Sequence, residues 1–263
     1  MNDVSEIIWR DIVNELLMFV GAAAEFPLDP ENYWLFYTGN LPTNPLKRMI
    51  DTLQYHRVLL NLKTEQEKVA YLEKIRKIHD KLEVKVTLEQ HHPMHIPNEA
   101  FKRVNDQNLC YAMKGYEYLH RVKMSDEEKE IFFQHFKFAA SAMHITDLSS
   151  NYQEWYKYRK TYLQSDLYQV SDNTHKLFAA YRKDISAVGY WILRQFMAHF
   201  AEEEVVAKLG LKKNLFFTLL YYLYPYFHNR TLAIFILHFL LPKKIFRNLM
   251  SLKAGVEEDR CPV

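Results

Sequence analysis

Three polar side chains stand where helical spacing would bring chemistry to an apolar interior. His79 lies in Leu72-Glu73-Lys74-Ile75-Arg76-Lys77-Ile78-His79-Asp80-Lys81-Leu82, where Leu72, Ile75, Ile78 and Leu82 mark one side of an amphipathic helix. That spacing turns the imidazole inward with the aliphatic side chains. Upstream, Arg48 and Thr52 are four residues apart and share one face of another helix. An inward imidazole with a guanidinium and a hydroxyl on a second helix could make an iron-porphyrin site, provided the two helices face each other. The plainer reading stays open beside it. A single His on an apolar helical face is commonly a hydrogen-bonded core residue, and Arg48 could sit in a surface salt bridge.

Other chemistries have less in their favour. Glu89-Gln90-His91-His92 and Glu117-Tyr118-Leu119-His120 both fit the Glu-x-x-His pattern of di-iron helical bundles. The first match runs into Pro93 in a segment that reads as loop, so its residues lack the required helical register. His91, His92 and His95 could catch a surface metal, but an exposed polar loop explains them as well. No G-x-S-x-G elbow is present, neither cysteine sits in a nucleophile signature, and no glycine-rich phosphate loop occurs.

The elements that must position these residues are helical. Periodicity of the 3.6 type dominates, and neither hairpin dipeptides nor period-two alternation is found. The reading places helices at 3–24, 46–62, 65–84, 98–122 (as one helix or two), 126–143, about 151–163, 173–183 and 186–208, with a short helical piece or an ordered loop at Tyr33–Tyr37. Thr43-Asn44-Pro45 is a start signal, and Thr64 with Glu67 and Ser125 with Glu128 make capping boxes. Residues 85–97 read as loop. The 263 residues suffice for one sizeable domain, and 49% hydrophobic and 15% aromatic content suits a thick core or a large pocket. A net charge of +2 gives no sign of nucleic-acid binding, and Cys110 and Cys261 fit a reducing compartment. The acidic N-terminus and the short apolar stretch Leu16 to Phe26 resemble neither a signal peptide nor a membrane span. A cytoplasmic protein is expected.

Residues 211–263 differ in character from the 1–210 domain. Leu215 to Tyr226 and Thr231 to Leu241 are very apolar, are split by His228-Asn229-Arg230, and are flanked by Lys212, Lys213, Lys243, Lys244 and Arg247. Each is shorter than the ~20 residues of a bilayer span. They read as an apolar helical hairpin packed on the same domain, or else as a peripheral membrane contact through 212–247.

Several segments in order resemble the MpaB/rubber-oxygenase catalytic-domain family, which includes the latex-clearing proteins. Asn44-Pro45-Leu46-Lys47-Arg48-Met49-Ile50-Asp51-Thr52 is similar to the family's Pro-Leu-x-Arg-x-x-x-Thr segment. Ile75 to Leu82 is similar to its Arg-x-x-His helix. Ile96-Pro97, the apolar run Leu109 to Tyr118, the acidic start at Ser125, Ala142-Met143-His144 and the Trp155 segment follow in the family's order over about residues 10–205.

The resemblance implies an all-α, globin-like core enlarged by extra helices and holding haem b. His79 would be the iron ligand, with Arg48 and Thr52 as the polar pair near the haem. It implies oxygenase activity with dioxygen on a hydrophobic, unsaturated or isoprenoid-like substrate. Asp51 stands where rubber-cleaving members can carry a lysine. Ala112-Met113-Lys114 replaces a Trp-Val-His of many bacterial relatives, and Glu25 and Glu31 are candidates for a catalytic carboxylate. The alternatives are a haem- or ligand-binding protein without turnover, and a cofactor-free peripheral membrane protein. His56 and His120 are the next axial candidates after His79.

Overall fold

Helix starts follow the side chains that can accept the first unpaired backbone N–H groups. The computed structural model describes residues 4–37, 45–90, 95–227 and 242–254, and every regular element among them is helical. α1 (Val4–Arg10) and α2 (Ile12–Glu25) replace the single helix expected at 3–24. The break is at Asp11, which is extended and whose carboxylate accepts the Val13 N–H at 3.0 Å, so it starts a new helix. Pro27 and Pro30 then enforce two 3-10 turns, Phe26–Leu28 and Pro30–Tyr33, leading into α3 (Trp34–Tyr37).

α4 is Pro45–Asn61, and the Thr43-Asn44 cap lies outside the described residues. α5 is Glu65–Gln90 and opens on the expected box: the Glu67 N–H donates to Thr64 Oγ1 at 3.2 Å, and the Thr64 N–H to Glu67 Oε2 at 3.0 Å. It passes Val84 by six residues, where a loop was expected. Lys85 to Gln90 contain neither Gly nor Pro, so nothing local ends the helix before Pro93 is approached. His91 and His92 lie outside the described residues.

α6 (Asn98–His120) is one helix, ended by Arg121 in the left-handed region at φ 56°. α7 (Asp126–Ala142) carries the Ser125–Glu128 box, and α8 (Tyr152–Gln164) is capped by Asn151. α9 (Asp172–Asp184), α10 (Ala187–Phe200), α11 (Glu203–Lys208), α12 (Leu215–Phe227) and α13 (Lys243–Ala254) complete the chain. The helix expected over 186–208 is thus two, parted at Ala201-Glu202. The reason is tertiary. Glu202 accepts from Lys114 Nζ on α6 at 3.1 Å and from Lys160 Nζ on α8 at 3.5 Å. Thr231 to Leu241, the second arm of the expected hairpin, lies outside the described residues.

α2 and α6 form the spine. Gly21 lies under the Tyr111 ring and Gly115 against the Asn14 side chain, and a Cβ at either would overlap them. Those glycines let the two helices approach closely. Around the spine, Leu109, Phe132, Trp155, Leu177 and Met197 are fully buried. α12 rests on α6 and α10, and α13 rests on α4.

Candidate functional site

Between the spine and α4, α5, α7, α10 and α12 lies a cavity of about 1460 Å³. Small-molecule sites generally occupy roughly 300–1,000 Å³. Leu17, Phe19, Met49, Leu72, Phe101 and Phe196 are among its mostly apolar walls, and His79, Arg48 and Thr52 all line it. The two helices therefore do face each other across one space.

His79 is half-buried on α5, edge-on to the Phe101 ring at 5.2 Å and to Trp34 at 6.4 Å. Its Nδ1 is 2.9 Å from the Ile75 carbonyl oxygen. A carbonyl only accepts, so Nδ1 carries the proton and Nε2 keeps its lone pair. Among the described residues Nε2 has no hydrogen-bond partner. Burial pushes the imidazole pKa down, the Ile75 hydrogen bond opposes this, and the Arg48 charge pushes it down further. The ring is neutral at neutral pH.

Arg48 and Thr52 are not equivalent donors. The Thr52 hydroxyl donates to the Arg48 carbonyl at 3.0 Å, so only its oxygen lone pairs remain to face the cavity. The neighbouring Asp51 is engaged by Lys47 at 2.8 Å. No carboxylate among the described residues is within ion-pairing reach of the Arg48 guanidinium. One turn beyond Thr52, His56 packs on Trp9 with ring centroids 4.6 Å apart. Burial, aided by the Arg57 charge, lowers its pKa to about 4. His56 Nδ1 and Trp34 Nε1, both from residues of the cavity wall, are buried without partners among the described residues. Such atoms are costly to leave unpaired.

Of the rival sites, Glu117, His120 and His95 are among the described residues. Glu117 accepts from Lys123 Nζ at 2.6 Å and from the Met124 N–H at 3.1 Å, tying down the chain after α6. His120 is exposed and lies against Tyr116. His95 is exposed, 3.3 Å from Glu83. Among the described residues no group of three or more His, Cys, Asp or Glu could hold a metal ion. Cys110 is buried, its thiol pushed up to about 12 by desolvation, and it donates to Glu202.

Glu25 is also occupied. It is fully buried against Arg159, which donates to Oε1 at 2.9 Å and also to Oε2. Tyr111 donates to Oε2 at 2.7 Å and Tyr168 to Oε1 at 3.2 Å. None of these four residues lines the cavity. Sequence reasoning missed Arg159, although a signal existed: Trp155, Arg159 and Tyr162 repeat at i, i+4 and i+7. That spacing is the same inward-facing pattern that singles out His79.

The model of the family described as "ER-bound oxygenase mpaB/B'/Rubber oxygenase, catalytic domain" matches residues 9–223. That span runs from Trp9 in α1 to Leu223 in α12 and takes in nearly the whole cavity wall. No curated protein and no solved structure shows a match. The chain belongs to the mpaB/rubber-oxygenase catalytic-domain family, and its fold is that of an all-α oxygenase domain.

Proposed function

We propose that this chain is a haem-b-dependent oxygenase that uses dioxygen on a hydrophobic, unsaturated or isoprenoid-like substrate. The observation that carries the reading is the state of His79. Its Nδ1 proton is committed to the Ile75 carbonyl, its Nε2 lone pair has no partner among the described residues, and it lines a large apolar cavity. A backbone acceptor on one ring nitrogen is the usual way a metal-binding imidazole is oriented and kept in the right tautomer.

The residues present fit the group. His79 Nε2 would hold the iron. The Arg48 guanidinium, without a carboxylate partner among the described residues, would attract the acidic edge of a porphyrin or another anion. When bound, haem supplies redox-active iron for dioxygen activation. The Thr52 hydroxyl donates its hydrogen bond to the Arg48 carbonyl, so its oxygen can only accept one at the cavity surface. The apolar walls exclude water and favour a hydrocarbon over a polar substrate. At about 1460 Å³ the space is generous enough for a macrocycle beside an apolar chain.

The test is the absorption spectrum of the purified protein, with haemin added if needed. A Soret band is expected that is lost in His79→Ala while helical circular dichroism is retained. A band that persists unchanged in His79→Ala defeats the assignment and directs attention to His56. Oxygen uptake that depends on an added isoprenoid alkene then separates turnover from mere binding.

A further inference from the structure

α12 has two apolar faces where a surface helix normally has one. Phe217, Leu220, Tyr221 and Tyr224 line the cavity. Leu215, Leu219, Tyr222 and Tyr226 form a second stripe at spacings of four, three and four, and none of them lines the cavity. Leu215 is 88% exposed, Phe216 67%, Leu219 57% and Tyr222 64%. Val188 and Trp191 of α10 are exposed too, and Trp191 meets Phe217 edge-on at 5.8 Å. An exposed apolar stripe along three turns of one helix marks a docking site rather than random exposure.

The helix is built to hold that face rigidly. Pro225 cannot donate to the Tyr221 carbonyl one turn back. The freed carbonyl accepts instead from the Tyr118 hydroxyl of α6, at 2.5 Å. At the far end, Arg121 donates to the Tyr226 hydroxyl at 2.7 Å and lies over its ring.

Charge indicates the occupant. The thirteen residues of α12 carry no charge, and of the charges in the stretch before it Glu202 and Glu204 are engaged by Lys114 and Lys160, and Lys208 by the Ser165 and Tyr168 carbonyls. Exposed Lys212 and Lys213 stand directly before α12, and Arg121 is at its other end. We infer that the outer face of α12 docks on an anionic lipid bilayer, with the stripe in the acyl boundary and the cations among the head groups. Tyr and Trp favour that interface, and each nearby Lys strengthens binding to anionic lipid. A second copy on a two-fold axis would instead set cations against cations. No helix among the described residues is long and apolar enough to cross a membrane, so this contact lies on the surface. The inference does not depend on the haem reading.

Co-sedimentation of the full chain with phosphatidylcholine vesicles, with and without phosphatidylserine, tests it. Binding is expected to the phosphatidylserine vesicles and to fall as salt rises. Lys212→Gln with Lys213→Gln should weaken it about 30-fold, at about fivefold per lysine. Phe216→Ser, Leu219→Ser and Tyr222→Ser together should abolish it with helical content unchanged. As a milder variant, Leu219→Cys in a Cys261→Ser background, carrying an environment-sensitive dye, should shift to the blue on these vesicles. Protein that stays in solution with both vesicle types overturns the inference. So does a Leu219→Cys thiol that reagents cannot reach before vesicles are added, since another part of the chain or a second copy then covers the face.

Discussion

The buried Glu25 carboxylate and the polar groups of the cavity wall lie on opposite sides of the α2–α6 spine and are bonded differently. On one side, both oxygens of the Glu25 carboxylate receive hydrogen bonds, from Arg159, Tyr111 and Tyr168. On the other, His56 Nδ1 and Trp34 Nε1 are buried at the cavity wall without partners among the described residues, and the half-buried His79 and Arg48 line the same cavity. A buried polar group costs little when its bonds are complete and a good deal when they are not. The Glu25 carboxylate, with both oxygens engaged, therefore stabilises and orients the helices, although Arg159 Nε beside it is buried without a partner among the described residues. At the cavity wall a ligand would complete the bonding. Burial of a charged residue is thus a poor guide to catalysis; unfilled bonding capacity next to open space is a better one.

The contrast can be broken most severely at Glu25. Arg159→Leu strands the Glu25 carboxylate and should cost about 3–5 kcal/mol in urea unfolding. Glu25→Gln in that background should recover part of the loss. If Arg159→Leu is as stable as the parent, the network has no structural role. His56 offers the next effect. Its pKa is about 4 when folded and about 6.5 when not, so between those values the unfolded chain takes up a proton that the folded chain refuses. Stability contributed by the neutral ring is present above pH 6.5 and is lost as pH falls toward 4, by about 3 kcal/mol. Glu15, with a pKa raised to about 8 by burial, acts in the opposite sense. The difference between parent and His56→Phe unfolding across that window isolates the histidine, and parallel curves would exclude it.

Smaller effects sharpen the comparison. Gly21→Ala drives a methyl into the Tyr111 ring and should cost about 1–3 kcal/mol, as overpacking does. An unchanged midpoint would mean that the spine can open. Arg48→Met should change stability by less than about 0.5 kcal/mol, because no ion pair among the described residues is lost. It should also raise the His79 pKa, which NMR titration reads directly, since the guanidinium charge holds that value down. An unmoved titration would place Arg48 too far from the imidazole to matter.

Much of this molecule was legible before any coordinates. The capping residues Thr64 and Ser125 announced their helices, because a cap bonds within three residues of itself. The inward aspect of His79 followed from its aliphatic neighbours, and the pairing of Arg48 with Thr52 from one helical turn. Asp11 and Glu202 broke helices that periodicity ran through. Asp11 was a local capping signal that the apolar pattern hid, while Glu202 is held by lysines from two distant helices.

By itself, the order of residues determined an all-helical chain, the approximate helix starts and which side of α5 bears the imidazole, since those depend on contacts within a turn or two. Only the tertiary structure decided that α4 and α5 share one cavity, that Glu25 meets Arg159 across 134 positions, and that α12 shows one apolar stripe inward and another outward. Contacts between residues far apart in sequence depend on how whole helices pack, and no spacing along the chain encodes that packing.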